Sequence, residues 1–233
     1  MDMRIYAKTP IADIETYKAV MCYELAGKTL KYTMDGGEKL SLSFAAFPTK
    51  EVQVNGSERG LIYDCMKSSP HVLFISYVMK EACAVYVLDM DAGLITRIVS
   101  DEKGRSSISF GASGDGKERH AYTQDMNENI VDWFLGPDDA SVFRIEYSDE
   151  GVSVTRPRAG NVPALEIQGF QAVKITKNIY LQNTAVQFEG RTITATMVAN
   201  HWNLTCVGSV YGASAGKEIE LRRYAGYGRF ARD

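Results

Sequence analysis

Residues 27–44 read GKTLKYTMDGGEKLSLSF, with Leu30, Tyr32 and Met34 apolar at every second position and Leu40, Leu42 and Phe44 following the same rule. A period of two puts alternate side chains on opposite faces of a strand. Asp35-Gly36-Gly37 between the two runs supplies residues that tolerate positive φ, as a tight hairpin turn requires. The stretch therefore predicts a β-hairpin with one buried face. LIYDCMK, VLFISYV, ACAVYVLDM, LITRIVS and SISF follow, separated by polar turns. Short strands spaced by about 8 to 12 residues point to an up-and-down barrel or a sandwich. Long helices between the strands are absent from the pattern, which excludes parallel α/β architectures. One segment reads differently: PIADIETYKAVMCYELAG has Pro10 at its start, Ile11, Ile14, Tyr17 and Met21 at helical spacing, and Gly27 past its end. It predicts a short N-terminal helix.

The strand plan runs twice. CMKSSPHVLFISYV at 65–78 lies over AVKITKNIYLQNTA at 172–185, and YVLDMDAGLIT at 86–96 over TMVANHWNLTC at 196–206. KLSLSF at 39–44 matches VFRIEY at 142–147, and EVQV matches GVSV. Identity is thin, so the repeat rests on strand order and on a period of about 100 to 110 residues. Each half offers about eight candidate strands, enough to close a barrel that holds side chains or one small ligand. The expected fold is all-β: two antiparallel barrels in tandem after the helix. The boundaries are 1–26 for the helical segment, 27–115 for the first barrel, 116–129 for a linker, and 130–233 for the second barrel and tail. A single merged sheet is the alternative.

With 45% hydrophobic and 24% charged residues, the composition is that of an ordinary globular chain, and the net charge of −3 excludes a clustered basic nucleic-acid footprint. No run of signal-peptide or membrane-span length occurs, so a cytoplasmic protein is expected, with neither membrane nor nucleic-acid partner. Cys22, Cys65, Cys83 and Cys206 form no C-x-x-C pair and are expected to be buried free thiols. GASGDG at 111–116 lacks the dinucleotide fingerprint, and GASAGKE at 212–218 has Glu218 where a phosphate loop carries Ser or Thr. Both read as flexible turns. The histidines (His71, His120, His201) are not at metal-ligand spacing, and His71 and His201 read as surface residues in turns. The expectation is no metal and no cofactor.

What remains is a set of aromatics and a few charges embedded in strands. Tyr32, Tyr63, Tyr77 and Tyr86 in the first half, and Trp133, Tyr147, Tyr180 and Trp202 in the second, are barrel core or pocket wall. Small-ligand sites are mostly apolar and aromatic, with few oriented polar groups. Arg144 and Glu146 alternate with Phe143, Ile145 and Tyr147, so they share one side of a strand. Outward, the preferred reading, they form a surface pair of little consequence; inward, they mark a site. For Arg97 both directions stay open, since both faces of its strand are otherwise largely apolar.

The order LAGKTLKYTMDGGEKLSLSF, LIYDCMK, VLFISYV, AVYVLDMDAGLIT and VGSVYG, spanning about residues 25–215, resembles the MoaF family of molybdenum cofactor biosynthesis protein F and its relatives. That resemblance implies a calycin, lipocalin-like barrel. The first hairpin is also similar to that of phenolic acid decarboxylases, which use two tyrosines spaced two apart, an arginine and a glutamate. Tyr32 matches the first tyrosine, but Met34 stands at the second and Met79 nearest the glutamate, so that mechanism lacks two of its four groups. The MoaF resemblance implies a link to molybdenum cofactor genes without a defined chemistry; the buried hairpin face and the aromatics lead to the expectation of a barrel that handles a small aromatic or heterocyclic metabolite. Two outcomes are open: a binding protein, or a cofactor-independent lyase, isomerase or cyclase. The candidate catalytic groups are Tyr32, Arg97 and Glu146; Tyr63, Tyr77, Tyr86, Trp133, Arg144 and Trp202 are candidate ligand contacts. Self-association into a homo-oligomer is compatible with all of this.

Overall fold

In the computed structural model the described residues are 21–57, 60–137, 141–157, 165–188, 191–213 and 219–231. They form an all-β protein. The first eight strands are β1 (Thr29–Met34), β2 (Lys39–Phe44), β3 (Glu51–Val54), β4 (Leu61–Lys67), β5 (Val72–Val78), β6 (Ala82–Asp89), β7 (Leu94–Asp101) and β8 (Ser106–Ala112). Each pairs antiparallel with the next, and β8 returns to β1 through Thr33–Ala112 and Met34–Gly111, closing a barrel. The β1–β2 connection is a single tight turn, Asp35–Gly37, with Gly36 at φ 78° and Gly37 at φ 86°. Those angles are strained for residues with a Cβ, which is why the turn carries two glycines.

Alternation decides what fills the barrel. Tyr32, Met34, Leu40, Leu42, Phe44, Leu73, Ile75 and Leu88 point inward, are buried and pack on one another, so the lumen is a packed core. The outer face is buried as well along β5, β6 and β7: Phe74, Val85, Val87 and Ile98 leave the barrel and enter a second cluster with Val173, Leu181, Val198 and Val207. That double burial explains why VLFISYV and ACAVYVLD read as nearly unbroken apolar runs.

The second half carries β9 (Ala121–Tyr122), β10 (Ile130–Phe134), β11 (Val142–Ser148), β12 (Gly151–Thr155), β13 (Glu166–Thr176), β14 (Ile179–Phe188), β15 (Arg191–Asn200), β16 (Thr205–Ala213) and β17 (Ile219–Phe230). Its order is β12-β11-β10-β17-β16-β15-β14-β13-β9. Here the expectation of two closed barrels needs correction: among the described residues no ladder joins β12 to β13, and the sheet is a curled half-barrel. It curls far enough for the Tyr147 hydroxyl on β11 to donate to Gln182 Oε1 on β14 at 2.8 Å. At the open seam the Leu165 N–H donates to the Val154 carbonyl at 3.3 Å. Trp133, Tyr147, Met197 and Cys206 fill the concave side.

The cyclic order of the two halves is nevertheless the same. β17 pairs with β10 as β8 pairs with β1, and β4–β5 and β6–β7 correspond to β13–β14 and β15–β16. The open seam β12–β13 corresponds to β3–β4, a ladder held, like the β8–β1 closure, by two register pairs, Glu51–Ile62 and Val52–Leu61. In both halves a short strap covers the exposed edge beyond that seam. Met21 bridges Met66 and the Cys22 N–H donates to the Cys65 carbonyl; Tyr122 pairs with Val173 and the Thr123 N–H donates to the Ala172 carbonyl. The segment 116–129 thus contributes an edge strand, and Met126 to the second core.

The helix expected over 10–26 falls largely on residues 1–20, outside the described residues. Its described end is not helical: Met21 and Cys22 lie along β4, and residues 24–27 form a turn. Pairing with the exposed strand edge satisfies these backbone groups better than a last helical turn. The turn expected from GASGDG begins at Ser113, after β8, while the comparable 214–218 lies outside the described residues. Where β17 crosses β10 the backbones approach closely, and a Cβ on Gly226 would stand 2.3 Å from the Phe134 carbonyl oxygen. Gly226→Ala is therefore expected to cost about 1–3 kcal/mol, measured by urea unfolding, because rigid backbone must shift. An unchanged midpoint would show that the crossing is looser than this.

Candidate ligand site at the mouth of the first barrel

Cross-strand register builds the site. Tyr86 on β6 stands opposite Arg97 on β7, and Arg97 opposite Ser109 on β8. Ile95 and Val99, which flank Arg97 by two, belong to the lumen cluster, so Arg97 faces the lumen too. This settles the open direction of Arg97. Its Nε donates to Ser109 Oγ at 3.0 Å, and its two terminal nitrogens donate to the two carboxylate oxygens of Glu38 at 2.7 Å each. Glu38 directly follows the glycine turn that ends the barrel, which places this fork–fork pair at the mouth. The Arg97 side chain is 21% exposed and that of Glu38 45%. Deeper in, the Tyr77 and Tyr86 hydroxyls share a hydrogen bond of 2.8 Å, their rings 5.7 Å apart. Tyr63 packs edge-on to Phe44 at 5.0 Å. Tyr32 also points inward, opposite Leu40.

Electrostatics assigns roles to these groups. Burial pushes the Tyr32 phenol up to about 12, and raises Tyr77, Tyr86 and Tyr63 as well. All four are neutral phenols at neutral pH, able to donate a hydrogen bond and not poised as bases. The Arg97 hydrogen bonds hold Glu38 below the usual carboxylate range. The arrangement offers a fixed cation backed by phenol donors. A separate open cleft of about 460 Å³ lies against the β1–β2 hairpin, bordered by Lys31, Tyr32, Thr33, Lys39 and Asp115; Lys31, Thr33 and Lys39 alternate with the lumen set and belong to the hairpin's other face.

Five of the candidate residues, Tyr32, Tyr63, Tyr77, Tyr86 and Arg97, thus share one lumen. The others do not join them. Glu146 is exposed on β11 and borders a shallow depression of about 230 Å³ with Ser148 and Ser153. Arg144 turns to a group that sequence reading missed: its Nε donates to Asp132 Oδ1 at 2.7 Å, and Arg229 reaches Asp132 Oδ2 at 3.1 Å. Burial opposes the charge on Asp132, but these hydrogen bonds outweigh it and keep the carboxyl below its ordinary range. Trp133 is fully buried in the second half, whereas Trp202 is 80% exposed in the β15–β16 turn. His201, read as a surface residue, is tucked between Tyr180, Phe230 and Trp133, with ring centroids 5.1, 6.0 and 6.1 Å away. His71 is exposed and pairs with Asp91 at 2.9 Å.

Glu38 was also missed; a charged residue after a turn carries no signal until the partner strand is known. Among the described residues no three His, Cys, Asp or Glu side chains converge on a metal position. No helix there is long and apolar enough to cross a membrane. No family model matches this chain, and no curated protein matches it.

Proposed function

We propose that this chain is a MoaF-like, calycin-type binding protein that holds a small aromatic or heterocyclic metabolite at the mouth of its first barrel. The observation that carries the reading is Arg97: a guanidinium aimed into an apolar barrel, above the Tyr77–Tyr86 hydroxyl pair, and met by a carboxylate on a glycine turn. A partly exposed pair of this kind holds by about 1 kcal/mol or less. An acceptor group of a ligand can take the place of Glu38, with its ring lying over the barrel mouth. The packed lumen favours this end site over a deep cavity. A second reading, a cofactor-independent lyase, isomerase or cyclase, draws on the same phenols as proton donors beside Arg97. A cytoplasmic location and self-association belong to the same proposal.

Calorimetric titration against a panel of aromatic and heterocyclic metabolites tests it. Arg97→Met is expected to weaken binding tenfold or more, and Tyr32→Phe by an amount matching about 0.5–1.5 kcal/mol if its hydroxyl meets the ligand. Binding that survives Arg97→Met unchanged would move the site elsewhere. Product formation with a pH-dependent rate would select the second reading.

A further inference from the structure

The strap over β4 differs from its counterpart over β13 in one chemical respect. Where the second half has Thr123 against Ala172, the first has Cys22 against Cys65. The antiparallel bridge Met21–Met66 makes Cys22 and Cys65 direct cross-strand neighbours, and the Cys22 N–H donates to the Cys65 carbonyl at 2.8 Å. Directly opposed residues have Cα atoms about 4.5–5.5 Å apart, inside the range a disulfide spans. Both side chains turn to the same side, into the lumen cluster. Cys83 and Cys206 are buried elsewhere, on β6 facing away from the lumen and in the core of the second half.

We infer that Cys22 and Cys65 are a redox-active dithiol, whose oxidation by a low-molecular-weight disulfide pins the strap to β4 across the weak β3–β4 seam. The step balances. The Cys22 thiolate, on the strap, attacks one sulfur of the small disulfide and releases one thiol. Cys65 then loses its proton to solvent and attacks Cys22 Sγ, expelling the second thiol. Two protein thiols are oxidised and one disulfide is reduced. Burial raises the Cys65 thiol well above its ordinary range and keeps it unreactive while the strap is closed, so exchange waits on opening of residues 21–28. The second half, with Thr123 and Ala172, has no such lock.

The full chain is incubated with excess oxidised glutathione in urea below the unfolding transition, so that the strap can open. It is then alkylated under denaturing conditions and mapped by peptide mass. The expected result is one linked peptide pair, Cys22–Cys65, with Cys83 and Cys206 alkylated. The melting midpoint of the oxidised protein rises by about 5–10 °C, and the rise is absent in Cys22→Ser. Full alkylation of all four cysteines, glutathione retained on Cys22 without the link, or links to Cys83 or Cys206 in similar yield would each overturn the inference.

Discussion

Between pH 7 and pH 4 the protein is expected to lose most of its stability, and two histidines are the reason. His120 is buried, its Nδ1 2.7 Å from Thr96 Oγ1, and its Nε2 has no hydrogen-bond partner among the described residues. His201 sits among three aromatic rings, its Nε2 likewise buried with no partner among the described residues. Desolvation lowers each imidazole to about 4 in the fold, with Asp89 opposing it only weakly at His120. An unfolded chain protonates its histidines near pH 6.5. Above that value both states are neutral and the histidines contribute no pH dependence. Below it the unfolded chain takes up protons that the folded state refuses, so stability falls until about pH 4, where the native imidazoles also charge. The full loss is about 3 kcal/mol per histidine, a large share of a typical total. Carboxylates held low by partners, such as Asp132 and Glu38, add their own loss only at lower pH. Urea midpoints from pH 7.5 to 4.5 measure it. His120→Gln and His201→Phe should each flatten the curve by about one proton. A wild-type curve that is flat over this range would refute the assignment.

How far the sequence foretold this molecule depends on what each strand touches. Where one face meets water, as in β1 and β2, alternation showed the inward set directly, Tyr32 and Leu40 included. Along β5 and β6 both faces are buried, so alternation vanished and the direction of Arg97 on the neighbouring β7 stayed open. Strand order made the repeat legible, but not the failure of β12 to reach β13, because closure depends on register rather than on the apolar pattern. The strap pairings, Met21 with Met66 and Tyr122 with Val173, join residues too far apart in the chain for local pattern to reveal. The partners of the charged residues were hidden for the same reason. Arg144 shares a face with Glu146, yet its hydrogen bonds to Asp132 come from the adjoining strand β10, and Glu38 meets Arg97 only once the barrel closes. His201 was misread because its turn is polar in sequence while its ring folds back onto the concave side of the sheet.

Residues 21–115 expressed alone are expected not to yield a stable soluble barrel, although every ladder that closes the barrel lies within them. Its outer face along β4, β5, β6 and β7 carries Met66, Val72, Phe74, Val85, Val87 and Ile98, all buried in the cluster they share with the second sheet. Losing that cover would expose about 1.5–3 kcal/mol of apolar burial per large side chain, comparable in sum to the whole stability of a domain. A contiguous apolar patch of this size also drives association. In the full chain the same contact predicts that Phe74→Ala costs about 3–5 kcal/mol, since Phe74 is fully inaccessible between the sheets. The ion pair Arg223–Asp64 at 2.8 Å and the Asn200 amide on the Ser68 carbonyl at 3.3 Å border this contact, and their loss adds little by comparison. Replacing Val72, Phe74, Val85 and Val87 by Thr or Lys restores period two on β5 and β6 while leaving Leu73, Ile75, Tyr86 and Leu88 in the lumen. Those outward substitutions should recover a soluble, cooperatively melting fragment. If the unmodified fragment is already soluble and melts cooperatively, the two sheets are independent folding units, and the shared core between them is dispensable.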